Sequence, residues 1–489
     1  MTRRVERDRS GARGRPVMTP SLPRIRLGIV VGVIVTALLA TGCAPAAPAT
    51  ATSSHGLPGT RGELELRGTK WVRRPPCAWP TAVNSDTIPK YSGFNNSNPD
   101  TASAYRLLFF TVQSGLRITL SGQFPNSRYM SFEVYDSQGE PFTTNGVSSA
   151  LADYQVAPDP GGINPWQHKA RPGGKFTVAL RTHVTPGEVN TLPLSPAGTT
   201  AGSAGVIFFR VYAPPHGNPW GVPAPHVTLT RNGVTTQLPA CPAKAIMVPA
   251  DAGQLATVGA TLPTDGRPTV APPTTASTAR KPGTPSGSGV IEPFAGHKEA
   301  GPGHTPDVNQ AYLFGGVLPA NNGDVVVIRA KAPTTPRGAS PSPWLASGTD
   351  LRYWSLCIDQ LAGHQPVVVN HLPNGKVDLG CRYDSQVTLD RDGYYTIVIG
   401  TESQRAAIER IAGATFLPFS LNDPAQPYVL SLRNMLPSPT FAEATQNVPT
   451  NASPASAAAV MGPYYPRLAF CPLATLALGG ANACLGGIS

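Results

Sequence analysis

Arg128-Tyr129-Met130-Ser131-Phe132 is matched 224 residues later by Arg352-Tyr353-Trp354-Ser355-Leu356, with arginine, tyrosine and serine at the same places. Four other short motifs recur in the same order, and the offset between the copies drifts only between 207 and 231 residues. The chain therefore contains a tandem duplication of a domain of roughly 180 residues, a usual domain size. The other pairs are Pro99-Asp100 and Ala104-Tyr105 with Pro306-Asp307 and Ala311-Tyr312, Asp153-Tyr154-Gln155-Val156 with Asp384-Ser385-Gln386-Val387, Phe209-Arg210 with Leu432-Arg433, and Cys241-Pro242 with Cys471-Pro472.

Short runs within both copies alternate apolar and polar residues, which is the period of a strand with one buried face. Leu116–Leu120 and Tyr395–Ile397 are examples. Asn232-Gly233 separates two such runs and predicts a two-residue hairpin turn. Because 54 prolines and 50 glycines accompany only 14% charged residues, long polar helices are disfavoured. We predict an all-β chain of two tandem β-sandwich or jelly-roll-like domains, with one helix at 403–412.

Two low-complexity stretches divide the chain. One, rich in Ala, Pro and Thr, follows Cys43, and the other, rich in Pro, Thr and Ser, lies between the copies. Such segments bury too little apolar surface to fold and act as linkers. The predicted organisation is a signal peptide at 1–42, a lipidated cysteine and tether at 43–62, a first β-sandwich domain at 63–248, a linker at 249–290, and a second β-sandwich domain with a C-terminal tail at 291–489.

The N-terminal region has the layout of an export signal. Arg24 and Arg26 precede Leu27–Ala40, fourteen residues without a charge, and two small residues then lead into Cys43. This run resembles the bacterial lipoprotein signal, which implies that Cys43 is diacylated and becomes the first residue of the mature chain. Fourteen helical residues reach about 21 Å, short of a bilayer core of about 30 Å. A cleaved secreted protein and an uncleaved membrane helix are the alternatives, and Met18 is an alternative translation start.

Cysteine usage agrees with export. Seven cysteines less Cys43 leave six, an even number, and disulfides persist in oxidising compartments. Six cysteines permit fifteen pairings, among which independent folding of each copy favours those within a copy. No cysteines have CxxC spacing, so we expect no metal site and no cofactor. The favoured pairs are Cys77 with Cys241, Cys357 with Cys381, and Cys471 with Cys484.

Charge and motifs bear on function mainly by exclusion. Of the net charge of +11, the first 42 residues carry +6, and no Lys/Arg-rich run follows. We therefore expect no nucleic-acid partner. The chain has neither a GxSxG nor an HExxH motif, which makes an enzyme the weaker hypothesis without excluding one, since catalytic triads assemble in space.

The second copy resembles a bacterial β-rich domain family of unknown function. The resemblance lies in Arg352–Leu356, in Tyr383–Gln386, and in Asp392-Gly393 before Tyr395–Ile399. In the first copy, Arg210-Val211-Tyr212, with a Gly-Val-Pro segment and Cys241 after it, is similar to uncharacterised actinobacterial envelope lipoproteins. The resemblance implies a jelly-roll-like fold and a place in the cell envelope, and it brings no activity.

Charged residues that recur in both copies are the first candidates for a site. They either line equivalent clefts or form partly buried ion pairs that fix strand ends, and the second interpretation is favoured. They are Arg128 and Arg352, Asp153 and Asp384, Gln155 and Gln386, and Arg210 and Arg433.

Residues that only the first copy has are the second candidates. Its loop between Val156 and Gly174 is twelve residues longer than the equivalent loop of the second copy. Indole faces surrounded by amide and imidazole groups suit a sugar or a lipid headgroup. The alternative is an ordered loop that packs its tryptophan on the sandwich. In the second copy an insertion with Trp344 is interpreted as structural. The ligand-binding candidates are Asn164, Trp166, His168 and Arg171, with His216 and Trp220 from a second loop.

These features predict a lipid-anchored protein on the outer face of the bacterial cytoplasmic membrane. It would be a non-catalytic binding or structural module for an envelope glycan, lipid or protein. The alternative is a secreted hydrolase or carbohydrate-processing enzyme that uses the inserted loops of the first domain. A purely structural spacer is the third hypothesis.

Overall fold

The structure, a computed structural model, describes residues 65–66, 69–70, 77–84, 99–217, 221–241, 289–296, 306–319, 323–344, 348–360 and 367–486. These residues belong to one compact unit, Arg61–Ser489. The predicted signal peptide, Cys43, the tether, nearly all of the linker and Trp220 lie outside the described residues. We call residues 63–248 the first half and 291–489 the second half.

The first half is built from fourteen described strands, most of them in two sheets. Sheet A has the order β3-β4-β12-β6-β9, and sheet B has the order β11-β10-β5-β13-β14. The strands are β1 Glu65–Leu66, β2 Thr69–Lys70, β3 Thr81–Asn84, β4 Ser103–Thr111, β5 Arg117–Gln123, β6 Tyr129–Tyr135, β7 Thr143–Thr144, β8 Val147–Ser148, β9 Ala150–Ala152, β10 Lys175–Arg181, β11 Thr191–Pro193, β12 Ala204–Tyr212, β13 His226–Arg231 and β14 Val234–Gln237.

The second half repeats this arrangement. Sheet C has the order β15-β16-β24-β18-β21, and sheet D has the order β23-β22-β17-β25. Its strands are β15 Val290–Gly296, β16 Gln310–Leu318, β17 Val325–Lys331, β18 Leu351–Gln360, β19 Val369–His371, β20 Val377–Leu379, β21 Cys381–Tyr383, β22 Tyr394–Gly400, β23 Ala414–Pro418, β24 Tyr428–Pro437 and β25 Arg467–Cys471, and its helices are α1 Arg405–Ile408, α2 Pro454–Met461 and α3 Leu473–Leu485.

The two halves have corresponding strands in corresponding places. Sheets A and C have the same order, and in sheets B and D the equivalent pairs β10/β11 and β22/β23 are both parallel. This agreement supports the duplication that the motifs predict, and the all-β fold class is confirmed. The domain boundaries stay predictions, because the two halves lie within one compact unit.

Strand β6 shows how the sequence builds the first half. Met130, Phe132 and Val134 belong to the apolar core between sheets A and B, and the intervening residues point to the other face of sheet A. All seven residues of β6 are buried, so both faces of the strand are covered. Strand β18 does the same in the second half, where Trp354 stacks on Tyr395 with ring centroids 4.9 Å apart.

The predicted hairpin is confirmed, since Asn232-Gly233 joins β13 to β14 with positive φ at both residues. The predicted helix at 403–412 is wrong in extent. Residues Glu402–Gln404 form a 3-10 turn and α1 covers only Arg405–Ile408, before Gly413 turns the chain at φ 77°. Helices α2 and α3 were not predicted, because their alanine-, glycine- and leucine-rich sequences lack a clear polar and apolar period.

The three favoured disulfides are confirmed. Cys77–Cys241 closes the first half, Cys357–Cys381 joins neighbouring strands β18 and β21, and Cys471–Cys484 ties α3 to β25. Each bond lies within one half. The halves therefore hold together by their linker and by the noncovalent contacts described next.

Candidate functional site

The recurring charged residues meet where the two halves touch. Arg128 immediately precedes β6, and Arg352 lies at the start of β18. Each arginine donates a hydrogen bond to the backbone carbonyl of the other, from Arg128 Nη1 to Arg352 O over 3.2 Å and from Arg352 Nη1 to Arg128 O over 3.3 Å. The contact is therefore reciprocal, as expected where two copies of one surface meet about a local two-fold axis.

Two buried ion pairs cross the interface in the same reciprocal way. Arg128 pairs with Asp384 over 2.9 Å, and Arg352 pairs with Asp153 over 3.0 Å. Both arginine side chains are at most 1% exposed. Buried ion pairs of these residues were the favoured prediction and are present, and the structure shows in addition that they join the two halves.

Local structure holds the two aspartates in position. Each begins a 3-10 turn, Asp153–Gln155 and Asp384–Gln386, directly after the edge strands β9 and β21. Asp153 also accepts hydrogen bonds from the amides of Met130 and Tyr154. Its carboxylate is thus pre-oriented by its own half before it meets the arginine of the other half.

The aspartates of the two Pro-Asp motifs form a second reciprocal set. Asp100, from the first half, accepts hydrogen bonds from Tyr353 Oη over 2.7 Å and from Arg433 Nη1. Asp307, from the second half, accepts one from Tyr129 Oη over 3.3 Å. Each half thus places a buried carboxylate against the tyrosine of the other half's Arg-Tyr motif.

An aromatic and aliphatic cluster surrounds these polar contacts. The ring of Tyr212 makes edge contacts with Tyr129 at 5.7 Å and with Tyr353 at 5.5 Å between centroids. Met435 and Leu436 of β24 pack in the same cluster. Because this cluster keeps water away, a carboxylate or guanidinium that loses its partner here is left in a medium that solvates it poorly.

The reciprocal pattern breaks at the centre of each sheet. In the first half Arg210 pairs with Glu133 of the neighbouring strand over 2.6 Å. Cys357 occupies the place equivalent to Glu133, and Arg433 instead pairs with Asp100 of the first half. Ligand atoms of Asp100, Cys357 and Cys381 lie within 4.8 Å of one another. The two sulfurs are bonded to each other, so they offer no thiolates to a metal in this state.

Burial changes the ionisation of the carboxyl groups at and near the interface. Burial raises the pKa of Glu133 to about 8, against the opposing effect of the Arg210 guanidinium. It raises the pKa of Asp153 to about 6, against the effect of Arg352, and that of Asp359 to about 7. Desolvation outweighs the ion pairs at the two paired positions.

The first half's long loop is part of this interface. The side-chain amide of Asn164 donates to the backbone carbonyls of Asp153 and Val156, over 2.7 and 2.6 Å. Trp166 is fully buried, and its Nε1 donates to Arg128 O over 3.1 Å. The carbonyl of Trp166 accepts a hydrogen bond from the amide of Trp344 in the second half. Asn164 and Trp166 therefore support Arg128 and Asp153, and the indole presents no open face to a ligand.

Of the other ligand-binding candidates, His168 and Arg171 belong to the same loop and are exposed. His216 lies in the 3-10 turn Pro215–Gly217, and Trp220 is outside the described residues. The expected ring-stacking site is thus contradicted for Asn164 and Trp166 by their burial, and it is untested for Trp220.

Trp344, which was interpreted as structural, packs on the interface. Its ring lies 5.1 Å from the guanidinium carbon of Arg352 and 5.3 Å from the ring of Tyr154. This cation–π contact covers the face of Arg352 where Nη2 has no hydrogen-bond partner among the described residues. The insertions that distinguish the two copies therefore meet each other above the reciprocal arginines.

A surface pocket of about 180 Å³ opens between α3 and sheet D, away from the interface between the halves. Its charged groups, Arg329 and Asp390, form an ion pair with each other, and Arg329 stacks on Tyr394.

Among the described residues, no helix combines the length and the apolar character needed to cross a bilayer.

We predict that breaking one interface pair destabilises the protein strongly. Asp384→Ala leaves Arg128 buried without its carboxylate and should lower the free energy of unfolding by about 3–5 kcal/mol. Replacing both partners, as in Arg128→Met with Asp384→Leu, should cost clearly less, because no buried charge is then unpaired. Urea unfolding followed by tryptophan fluorescence measures both.

The matched control is the half-exposed pair Arg181–Glu188. Glu188→Ala should change the free energy of unfolding by about 0–1 kcal/mol. An equally small loss in Asp384→Ala would show that the crossing pair does not join the halves.

We predict that stability falls as pH rises from about 4 to about 8. The pKa values of Glu133 and Asp153 are raised in the folded protein from the ordinary values of 4.5 and 3.8 to about 8 and about 6, so between the ordinary and the raised value of each group the folded state holds more protons than the unfolded state. Their contribution to stability is fully present below about pH 4, decreases as pH rises, and is lost once the pH exceeds the raised pKa of each group. Urea midpoints at pH 5, 7 and 9 test this, and Glu133→Gln should flatten the upper part of the profile. A midpoint that rises from pH 5 to pH 9 would contradict the prediction.

Comparison with known proteins adds little beyond this geometry. No protein-family model matches the chain, and no curated protein matches it. Among solved structures it is similar to an uncharacterized protein from Burkholderia cenocepacia, with 13% identity, a TM-score of 0.43, and coverage of 77% of this chain and 78% of that one. It is also similar to a protein from Vibrio parahaemolyticus, with 12% identity, a TM-score of 0.34, and coverage of 77% and 90%. TM-scores below 0.5 do not define a shared fold, and no function follows from either similarity.

Proposed function

We propose that the chain is a lipid-anchored protein of the bacterial cell envelope whose two β-sandwich halves form one non-catalytic body. The observation that carries the proposal is that the recurring charged residues form buried ion pairs between the two halves. Arg128, Arg352, Asp153 and Asp384 are all bound by groups of the opposite half. Side chains that are committed to a buried protein contact serve to hold the body together and are not displayed to a substrate.

Two further observations support the proposal. The three disulfides fit a protein that folds in an oxidising compartment. Asn164 and Trp166, which belong to the inserted loop that the alternative hydrolase would use, are buried supports of the interface. The same loop has His168, Lys169 and Arg171 at exposed positions, which we call the basic tip, and we propose that this tip contacts anionic lipid headgroups.

The anchor is tested at Cys43. In cells fed a labelled palmitate analogue, wild-type protein should carry the label and sediment with membranes. Cys43→Ala should lose the label, and its sedimentation with membranes should fall to the weaker, salt-sensitive binding that the basic tip provides. Ala40→Leu, which introduces the leucine that lipoprotein signals prefer three residues before the cysteine, is the matched control and should be labelled at least as well as wild type. Full membrane binding of unlabelled Cys43→Ala would refute the anchor.

The basic tip is tested with unanchored protein. In a Cys43→Ala background, Lys169→Glu with Arg171→Glu should weaken binding to phosphatidylglycerol vesicles at least roughly 30-fold, since each lost basic residue contributes about 1 kcal/mol at an anionic surface and each added carboxylate is repelled by it. Added salt should weaken wild-type binding too. Arg391→Glu, at another exposed position, is the control and should bind like wild type. Equal binding by all three proteins would refute a role for the tip.

A further inference from the structure

The interface between the halves has the character of a dimer interface. The crossing contacts come in equivalent pairs: Arg128–Asp384 with Arg352–Asp153, and Tyr129–Asp307 with Tyr353–Asp100. An isologous dimer has this property, because each subunit offers the same surface and each contact occurs twice. The covalent link between the halves plays no part in these contacts.

The covalent structure does not require the two halves of one chain to pair with each other. Each disulfide lies within one half, so only the chain between Cys241 and Gly289 connects them. That connection is 47 residues long. At about 3.4 Å per extended residue it can span up to roughly 160 Å. A reach of this size allows a second half to pair with a first half that belongs to another chain.

We propose that two copies of this chain exchange their halves through this interface. In the exchanged dimer the first half of each chain binds the second half of the other, and Arg128, Arg352 and their aspartates make the same contacts as in the monomer. Because both forms contain the same interface, their balance depends on the concentration of chains compared with the effective concentration that the 47-residue connection provides, and that effective concentration falls as a connection lengthens. Crowding of chains on a surface shifts that balance towards the dimer.

Reversing the charges of one crossing pair in separate chains tests the exchange. A chain with Arg128→Asp places two carboxylates against each other in the monomer, and a chain with Asp384→Arg places two guanidinium groups together. Exchange between the two chains brings residue 128 of each chain against residue 384 of the other, which gives an opposite-charge pair at both interfaces. A monomer of either chain keeps two like charges in contact.

The two chains are co-expressed in a Cys43→Ala background with different affinity tags. We expect them to co-purify one to one as a particle with the mass of two chains, measured by light scattering. The single chain with both Arg128→Asp and Asp384→Arg restores the pair within one molecule. Two differently tagged copies of that chain restore the pair in the monomer as well as in the dimer, so they should co-purify far less than the complementary chains.

Two outcomes would overturn the proposal. One is failure of the complementary chains to co-purify while the doubly substituted chain folds. The other is equal co-purification of every combination, which would place the association on another surface. If the doubly substituted chain does not fold, Asp153→Arg and Arg352→Asp repeat the design at the equivalent pair.

A test without substitutions supplements both designs. Two tagged wild-type chains are unfolded in urea with disulfides intact and refolded together over a range of concentrations. A particle with both tags, increasing with concentration, is expected. Monomers alone at all concentrations up to the millimolar range would overturn the proposal.

Discussion

The architecture depends on two buried arginines that face each other across the interface. Arg128 and Arg352 each donate to the other's backbone carbonyl, so two positive charges lie close together in a region shielded from water. Such an arrangement is stable only if each charge has a carboxylate at hydrogen-bond distance, because the desolvation cost of a guanidinium is several kcal/mol. Asp153 and Asp384 supply these carboxylates, each from the opposite half. The contact therefore fixes the position of the halves relative to each other more than it adds net stability.

The loops that differ between the copies follow from the same constraint. Arg128 has its carbonyl held by the indole of Trp166, while Arg352 has its guanidinium covered by Trp344. The backbone bond between Trp166 and Trp344 joins the two insertions directly. Duplication alone would give two identical rims around the arginines. The two different loops together complete the burial of the arginines. For this reason Trp166, whose loop has the composition of a ligand site, belongs to the core.

Local patterns in the sequence predicted much of the fold, but they could not predict the contacts between the first half and the second half. The alternation in Leu116–Leu120 and the turn at Asn232-Gly233 are local signals. The first predicted a strand where β5 begins, and the second predicted the turn that joins β13 to β14. The recurrence of Arg128 and Asp153 as Arg352 and Asp384 identified ion-pairing residues correctly. It could not tell a pair within a copy from a pair between copies, because both give the same spacing in the sequence. For Trp166 the sequence left a ligand-binding indole and an indole packed on the sandwich as alternatives, because composition cannot distinguish the two, and the structure has the packed one.

The two halves do not depend on each other equally. Arg210 finds its carboxylate, Glu133, on a neighbouring strand of its own sheet. In the second half a cysteine occupies the place of that glutamate, and its disulfide with Cys381 occupies the space beside Asp100. Arg433 consequently pairs with Asp100, which belongs to the first half. The first half thus pairs its central arginine with a carboxylate of its own sheet, whereas Arg433 of the second half forms its ion pair with a carboxylate of the first half.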